Sequence, residues 1–365
     1  MKKNILVVDD SALMRRVICD IINSDNRFQA IETCCDGLQA YEKLKSKHYD
    51  VVLLDVYMPR MNGLQLLERI QAEHIDATVI VVSTLTTEGA SETLRAMELG
   101  AVDFVTKPEN IIEAKGQDFR QRLLDMLQAV LHTEEPVIRT ASVCEKARKE
   151  PSSQAIPKAS GLPRRRTLPS KNVSNRLIAL ACSTGGPKAL HTVLPALDPR
   201  MDAPMVLVQH MPTGFTKSLA DRLNELSRVT VKEAEEGELL QKGVVYIAPG
   251  GKHLEVVSTA GGHKVHLNDE PPIGGLKPCA NVMYESLKNS RYDEITGVVL
   301  TGMGADGTAG IESLDRSKPI HVIAQNAQTC VVYGMPRAVA EAGLVDEVVP
   351  LESIANTIIK NVGVK

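Results

Sequence analysis

One feature constrains this chain more than any other: short apolar runs alternate with segments of helical periodicity, and the whole pattern occurs twice. Over residues 1–130 the runs NILVV, QAIETCC, DVVLLD, ATVIVVS and AVDFVTK read as strands. Apolar runs with no polar face suit strands covered on both sides, as in parallel sheets. Between them Leu13, Val17, Ile18 and Ile21 share one helical face, and Leu123, Leu127 and Leu131 share another. Five strands alternating with five helices, joined by right-handed crossovers, predict a doubly wound α/β domain. The alternation returns over residues 173–365, with RLIALA, PMVLVQ, GVVYIAP, TGVVLTG and KPIHVIAQ as strands and KALHTVLPAL and TKSLADRLNELS as helices. That predicts a second α/β domain with a mainly parallel sheet.

Residues 133–172 break the pattern. They carry nine Lys or Arg against four Asp or Glu, five Pro, five Ser and no sustained apolar period. Such a segment cannot bury a core and reads as a flexible linker. The net charge of −3, 3% aromatic content and absence of Trp argue against nucleic acid as a partner. No basic recognition helix is visible either. The opening apolar run, Ile5–Val8, is too short for a secretory signal, and no run approaches a membrane span. The expectation is a cytoplasmic protein without membrane insertion. Seven cysteines, odd in number and without a C-x-x-C pair, are expected to be free.

In a parallel sheet, ligands bind at the carboxyl ends of the strands. Asp9 and Asp10 end the first strand, Asp55 the third, Ser83 the fourth and Lys107 the fifth. Three carboxylates gathered at one rim repel one another unless a hard cation such as Mg²⁺ neutralises them. A nucleophilic carboxylate, a metal, a cation and a hydroxyl are what phosphoryl transfer to an aspartate needs.

The set VVDDS, LLDVYMPRMNG, VVSTLT and VTKP resembles response-regulator receiver domains across residues 1–130. The resemblance implies that Asp55 is the phosphoacceptor and that Asp9 and Asp10 hold Mg²⁺ together with it. It also implies that Ser83 contacts the phosphoryl group and that Lys107 pairs with it. Tyr57 departs from the acidic residue often found two positions after the phosphoacceptor in related esterases, which bears on the lifetime of the phosphoryl group.

In the second domain the run LIALACSTGGP ends with Cys182 and Ser183 side by side. A serine needs a base, and Gly185 and Gly186 permit a tight turn with N–H groups open to a carbonyl oxygen. Of nine histidines only His210, in VLVQHMP, directly ends a long apolar strand of this domain. By position alone it could equally be a structural hydrogen-bonding group. Asp306, the acid of the glycine-rich loop GVVLTGMGADGTAG, could orient it. That loop lacks a P-loop ending, and CSTGG is not a nucleophile elbow. Cys182 is the rival nucleophile, but neighbouring strand residues alternate faces and an unpaired Cys there suits the core. His263 and His266 lack partners for a metal site and read as surface loop.

Together CSTGGP, QHMP, APGGKHLEV, TGMGADG and VVYGMPRAV, behind a receiver and a linker, resemble the chemotaxis protein-glutamate methylesterases, also glutamine deamidases, over nearly the whole chain. The resemblance implies that Ser183 attacks the γ-glutamyl methyl ester, with His210 as base, Asp306 as its orienting group and the Met303 N–H in the oxyanion hole. The substrate would lie on the cytoplasmic helices of a chemoreceptor, with the chemotaxis histidine kinase as phosphodonor and no cofactor for the ester chemistry. Two other readings compete: a DNA-binding regulator, and a catalytically inactive response-regulator scaffold that only competes for phosphate.

Overall fold

The computed structural model describes residues 2–108, 110, 113, 116–131 and 175–364. The proposed linker, 133–172, lies wholly outside the described residues. The N-terminal unit runs β1 (Lys3–Val8), α1 (Ala12–Asn23), β2 (Phe28–Cys34), α2 (Gly37–Ser46), β3 (Val51–Asp55), α3 (Gly63–Ala72), β4 (Val79–Ser83), α4 (Thr87–Glu98), β5 (Asp103–Thr106) and α5 (Gln117–Leu131). Its five strands are parallel in the order β2-β1-β3-β4-β5. The apolar runs behave as expected: Val51–Asp55 and Val79–Ser83 are buried at every position.

The C-terminal unit runs β6 (Arg176–Cys182), α6 (Gly186–Val193), β7 (Met205–Gln209), α7 (Phe215–Leu226), β8 (Thr230–Glu233), β9 (Val244–Ile247), β10 (His253–Thr259), β11 (Gly262–Asn268), α8 (Ala280–Ser286), β12 (Glu294–Val299), α9 (Thr308–Asp315), β13 (Ile320–Gln325), α10 (Met335–Glu341), β14 (Glu347–Val349) and α11 (Leu351–Val362). Seven parallel strands lie in the order β14-β13-β12-β6-β7-β9-β8. Chain direction through the sheet reverses beside β6: β7 lies on one flank and β12 on the other. Such a switch point opens a crevice at the strand ends, and the Ser183 turn sits there.

The structure departs from the sequence reading at β10 and β11, an antiparallel hairpin outside the main sheet. His263 belongs to β11, is buried, and stacks on Tyr292 with ring centroids 3.9 Å apart. It accepts a hydrogen bond from Arg291 N–H (2.9 Å), so the surface-loop expectation fails for it. His266 is on the same strand, 3.3 Å from Glu236. Each has a local partner, and among the described residues neither belongs to a cluster that could hold a metal ion.

The two units share an apolar contact. Phe104 of β5 stacks on Phe215 of α7, with centroids 4.7 Å apart and planes 7° from parallel. Glu98 of α4 accepts from Arg222 of α7 (3.0 Å) and lies 3.3 Å from His191 of α6. No helix among the described residues is long and apolar enough to cross a membrane.

Candidate active site

The rim of the first sheet gathers the predicted acidic pocket. Lys107 Nζ lies 2.7 Å from Asp55 Oδ2 and 2.8 Å from Asp9 Oδ2. Burial pushes the Asp55 carboxyl up to about 6, against the pull of Lys107. Asp9, Asp10 and Asp55 each bring a carboxylate oxygen to within 4.8 Å of the others, and the buried Asp9 Oδ2 atom has the Lys107 ammonium as its partner. An oxygen-only, triply acidic donor set fits Mg²⁺. Ser83 Oγ accepts from Thr93 Oγ1 at 2.6 Å and lies 3.3 Å from the Gly89 carbonyl, which turns its hydroxyl toward the start of α4. Tyr57 N–H donates to Asp55 Oδ1 (3.3 Å), and the Tyr57 ring is exposed.

In the second sheet, β6 stops at Cys182 and the chain turns through Ser183-Thr184-Gly185 into α6. Gly186 N–H donates to the Ser183 carbonyl (2.7 Å), and Gly185 adopts φ +75°, a left-handed conformation that favours glycine. A Cβ on Gly186 would lie 1.9 Å from Gln209 Oε1, so only glycine lets the turn meet β7. Gln209 is buried and donates through Nε2 to the carbonyls of Ser183 (3.0 Å) and His210 (3.2 Å). It ties the Ser183 turn to the strand end that carries His210. Cys182 is fully buried, its thiol 3.0 Å from Gln209 Oε1, and burial pushes that thiol far above its usual range. The thiolate needed for nucleophilic attack is suppressed there.

His210 and Asp306 meet: Nε2 lies 2.8 Å from Asp306 Oδ2. Burial works to raise the Asp306 carboxyl, but His210 and neighbouring donors outweigh it and hold it down at about 2. Those donors are the N–H groups of Ala280 (2.6 Å), Asn281 (3.0 Å) and Gly307 (2.9 Å), and the Cys279 thiol (3.2 Å). Asp306 is therefore a fixed negative charge against one imidazole nitrogen, and Nδ1 remains for the proton of a nucleophile. No hydrogen bond joins Ser183 Oγ to His210 among the described residues; the two side chains line one cavity of about 460 Å³. Such bonds are often long before substrate binds. Met303, half-exposed, lines the same cavity with Gly304, Gly274 and Leu276. Among the described residues nothing accepts from the Met303 N–H.

The cavity's other wall comes from the N-terminal unit: Asp103, Phe104, Val105, Thr106, Arg122, Asp125 and Met126. Asp103 Oδ2 accepts from Gly185 N–H at 3.2 Å. Burial pushes its carboxyl up to about 7 despite the N–H groups of Phe104 and Gly185 and the Thr184 side chain. Sequence reasoning missed Asp103, Gln209, Cys279 and Asn281.

Comparisons with known proteins fall on the same two units. Residues 178–358 match the CheB methylesterase family, and residues 5–115 match the response regulator receiver domain. The protein-glutamate methylesterase/protein-glutamine glutaminase of Geobacillus kaustophilus (strain HTA426) is 45% identical over 359 residues, which is 98% of each chain. The protein of the same name from Bacillus subtilis (strain 168) is 39% identical over 354 residues, 97% of each. The crystal structure of the Thermotoga maritima CheB methylesterase catalytic domain is 41% identical with a TM-score of 0.50, covering 52% of this chain and 99% of that one.

Proposed function

The chain belongs to the CheB methylesterase family, enzymes named protein-glutamate methylesterase/protein-glutamine glutaminase, and from that premise we propose that it is a phosphorylation-gated Ser-His-Asp hydrolase serving adaptation in bacterial chemotaxis. The observation that carries this reading is the His210–Asp306 contact at 2.8 Å, with His210 lining one cavity together with Ser183 and the receiver's Asp103.

In the proposed reaction Ser183 Oγ attacks the γ-carbonyl carbon of a glutamyl methyl ester while His210 takes its proton. The Met303 N–H donates to the oxyanion of the tetrahedral intermediate. His210 then returns the proton to the departing methoxide, leaving an acyl-serine and methanol. Water, deprotonated by His210, attacks the acyl-serine and restores Ser183 with a glutamate carboxylate as product. With glutamine the same steps release ammonia, because the tetrahedral centre forms on the same carbon. Asp306 holds the ring in place and balances the imidazolium.

In the receiver, Asp55 accepts the phosphoryl group from the chemotaxis histidine kinase, and Lys107 pairs with it. Asp9, Asp10 and Asp55 would hold Mg²⁺, which when bound offsets the charge of the incoming phosphoryl group. The receiver sits over the cavity, so a bulky receptor helix reaches Ser183 only when the contact opens. We place the working units at residues 1–130 and 173–365 and the enzyme in the cytoplasm, where chemoreceptor helices lie. The inactive-scaffold reading would leave the paired His210 and Asp306 without purpose. The test is methanol release from methyl-labelled receptor fragments: the account expects it from the native chain and its loss in Ser183→Ala.

A further inference from the structure

The loop that carries Asp306 is anchored by Asp306 itself, whose carboxylate accepts from the N–H groups of Ala280 and Asn281 on α8. Its position is set from α8, across the start of α9. Asn281, in the first turn of α8, accepts through Oδ1 from the N–H groups of Gly307 (3.1 Å) and Gly310 (2.8 Å). Its own N–H donates to Asp306 Oδ1 (3.0 Å). One residue therefore grips Asp306 directly and also grips the backbone immediately after it. The two helices meet at van der Waals limit there: a Cβ on Gly310 would lie 2.8 Å from the Asn281 carbonyl oxygen and 2.9 Å from its Cα. Gly307 itself has φ +93°, a left-handed conformation that glycine adopts freely.

We propose that Asn281 is a positioning residue for the hydrolysis: by bridging the Gly307 and Gly310 N–H groups it fixes Asp306 in register with His210. The physical argument concerns which atoms lose partners. Without the Asn281 carboxamide, the Gly310 N–H at the start of α9 has no acceptor among the described residues, and the Gly307 N–H keeps only Asp306 Oδ1. A group left in that state is costly, and the loop relieves the cost by moving toward water. Asp306 moves with it, because Gly307 is its next residue. A displacement of about 1 Å in a catalytic constellation is worth roughly a hundredfold in rate. Asn281 does not touch the reacting atoms; it acts through Asp306.

This inference rests on the triad reading above, and the experiment separates the two. Full-length protein carrying Asn281→Leu, Asn281→Asp, Asp306→Asn, or Asn281→Leu with Asp306→Asn is activated with acetyl phosphate. kcat and KM for methyl-labelled receptor fragments are then measured. Leu keeps the four side-chain heavy atoms and the branching at Cγ but offers no acceptor; Asp keeps the acceptor. The expected result is a roughly 10- to 100-fold lower kcat for Asn281→Leu, with KM within about twofold of native. Asn281→Asp should recover to within about fivefold of native. In the Asp306→Asn background the added Asn281→Leu change should cost less than about threefold, since both act on one contact. If Asn281→Leu does not fold, Asn281→Ser carries the same test, because its hydroxyl is too short to reach both N–H groups. Native kcat in Asn281→Leu, an Asn281→Asp enzyme as slow as the leucine variant, or fully multiplicative losses in the double variant would each overturn the proposal. Native kcat in Asp306→Asn would overturn the triad reading instead.

Discussion

The carboxylate of Asp103, on the receiver's fifth strand, accepts a hydrogen bond from Gly185, two residues beyond Ser183, at 3.2 Å. The receiver thus touches the turn that holds the proposed nucleophile, and control and chemistry share a wall. Beside this contact the Phe104 and Phe215 rings stack at 4.7 Å.

The ring stack should set how often the site is covered. An aromatic pair contributes about 0.5–1.5 kcal/mol beyond its buried area. Phe104→Ala should therefore raise the ester hydrolysis of unphosphorylated protein about three- to tenfold, with little change after acetyl phosphate. A chain beginning near residue 173 should be faster still and should ignore acetyl phosphate. Equal basal rates for all three proteins would mean that the receiver does not act by covering the cavity.

Docking should also depend on pH through Asp103. In contact its pKa is raised by burial to about 7, whereas undocking returns the group to water, where aspartate titrates near about 4. The docked state therefore takes up a proton. Docking is strongest below about pH 4, weakens as pH rises towards about 7, and is level above that. Arg122 and Asp125 of α5 and His210 at the end of β7 line the same cavity and are ionisable groups facing it. The comparison is therefore with Asp103→Asn, which keeps those groups. The basal rate of native protein, divided by its activated rate, should climb between pH 5 and 7, and that climb should vanish in Asp103→Asn. Identical profiles for the two proteins would exclude Asp103 as the source.

Nucleophile choice is open to direct test. Cys182 is fully buried, with a thiol unable to ionise near neutrality. Cys182→Ala should keep the hydrolysis rate within a few-fold, whereas Ser183→Ala should lower it roughly 10³- to 10⁶-fold. Comparable losses in both would reverse the assignment.

Asp306 should matter for orientation and charge rather than for stability of the fold. Its carboxyl, held at about 2, stays ionised throughout the working range, so its contribution is present above about pH 3 and lost only below it. Asp306→Asn should keep a native circular-dichroism spectrum and lower kcat on the order of 10⁴-fold. A loss below tenfold would remove Asp306 from the mechanism.

Much of this architecture was legible because apolar strands and the polar residues that end them announce themselves. Asp55, Ser183 and His210 each interrupt an apolar run at its carboxyl end, which is where parallel sheets place chemistry. Asp103 was not legible: it sits inside AVDFVTK, and its partner Gly185 lies 82 positions away in the other unit. Asn281 and Cys279 lie within PCANV, which has no strand to end and no periodicity to read. Their role exists only once α8 and α9 are packed. The β10–β11 hairpin escaped because histidines and lysine interrupt its alternation, and His263 is buried by stacking on Tyr292 rather than by an apolar neighbourhood of its own.

The claim that joins the two units is that phosphate on Asp55 opens the way to Ser183. The direct measurement is the initial rate of methanol release from methyl-labelled receptor fragments, with and without acetyl phosphate and Mg²⁺, for native protein and Asp55→Asn. The account predicts a clear rise for native protein and a flat, basal rate for Asp55→Asn. An unchanged native rate, or an equal rise in Asp55→Asn, would contradict it.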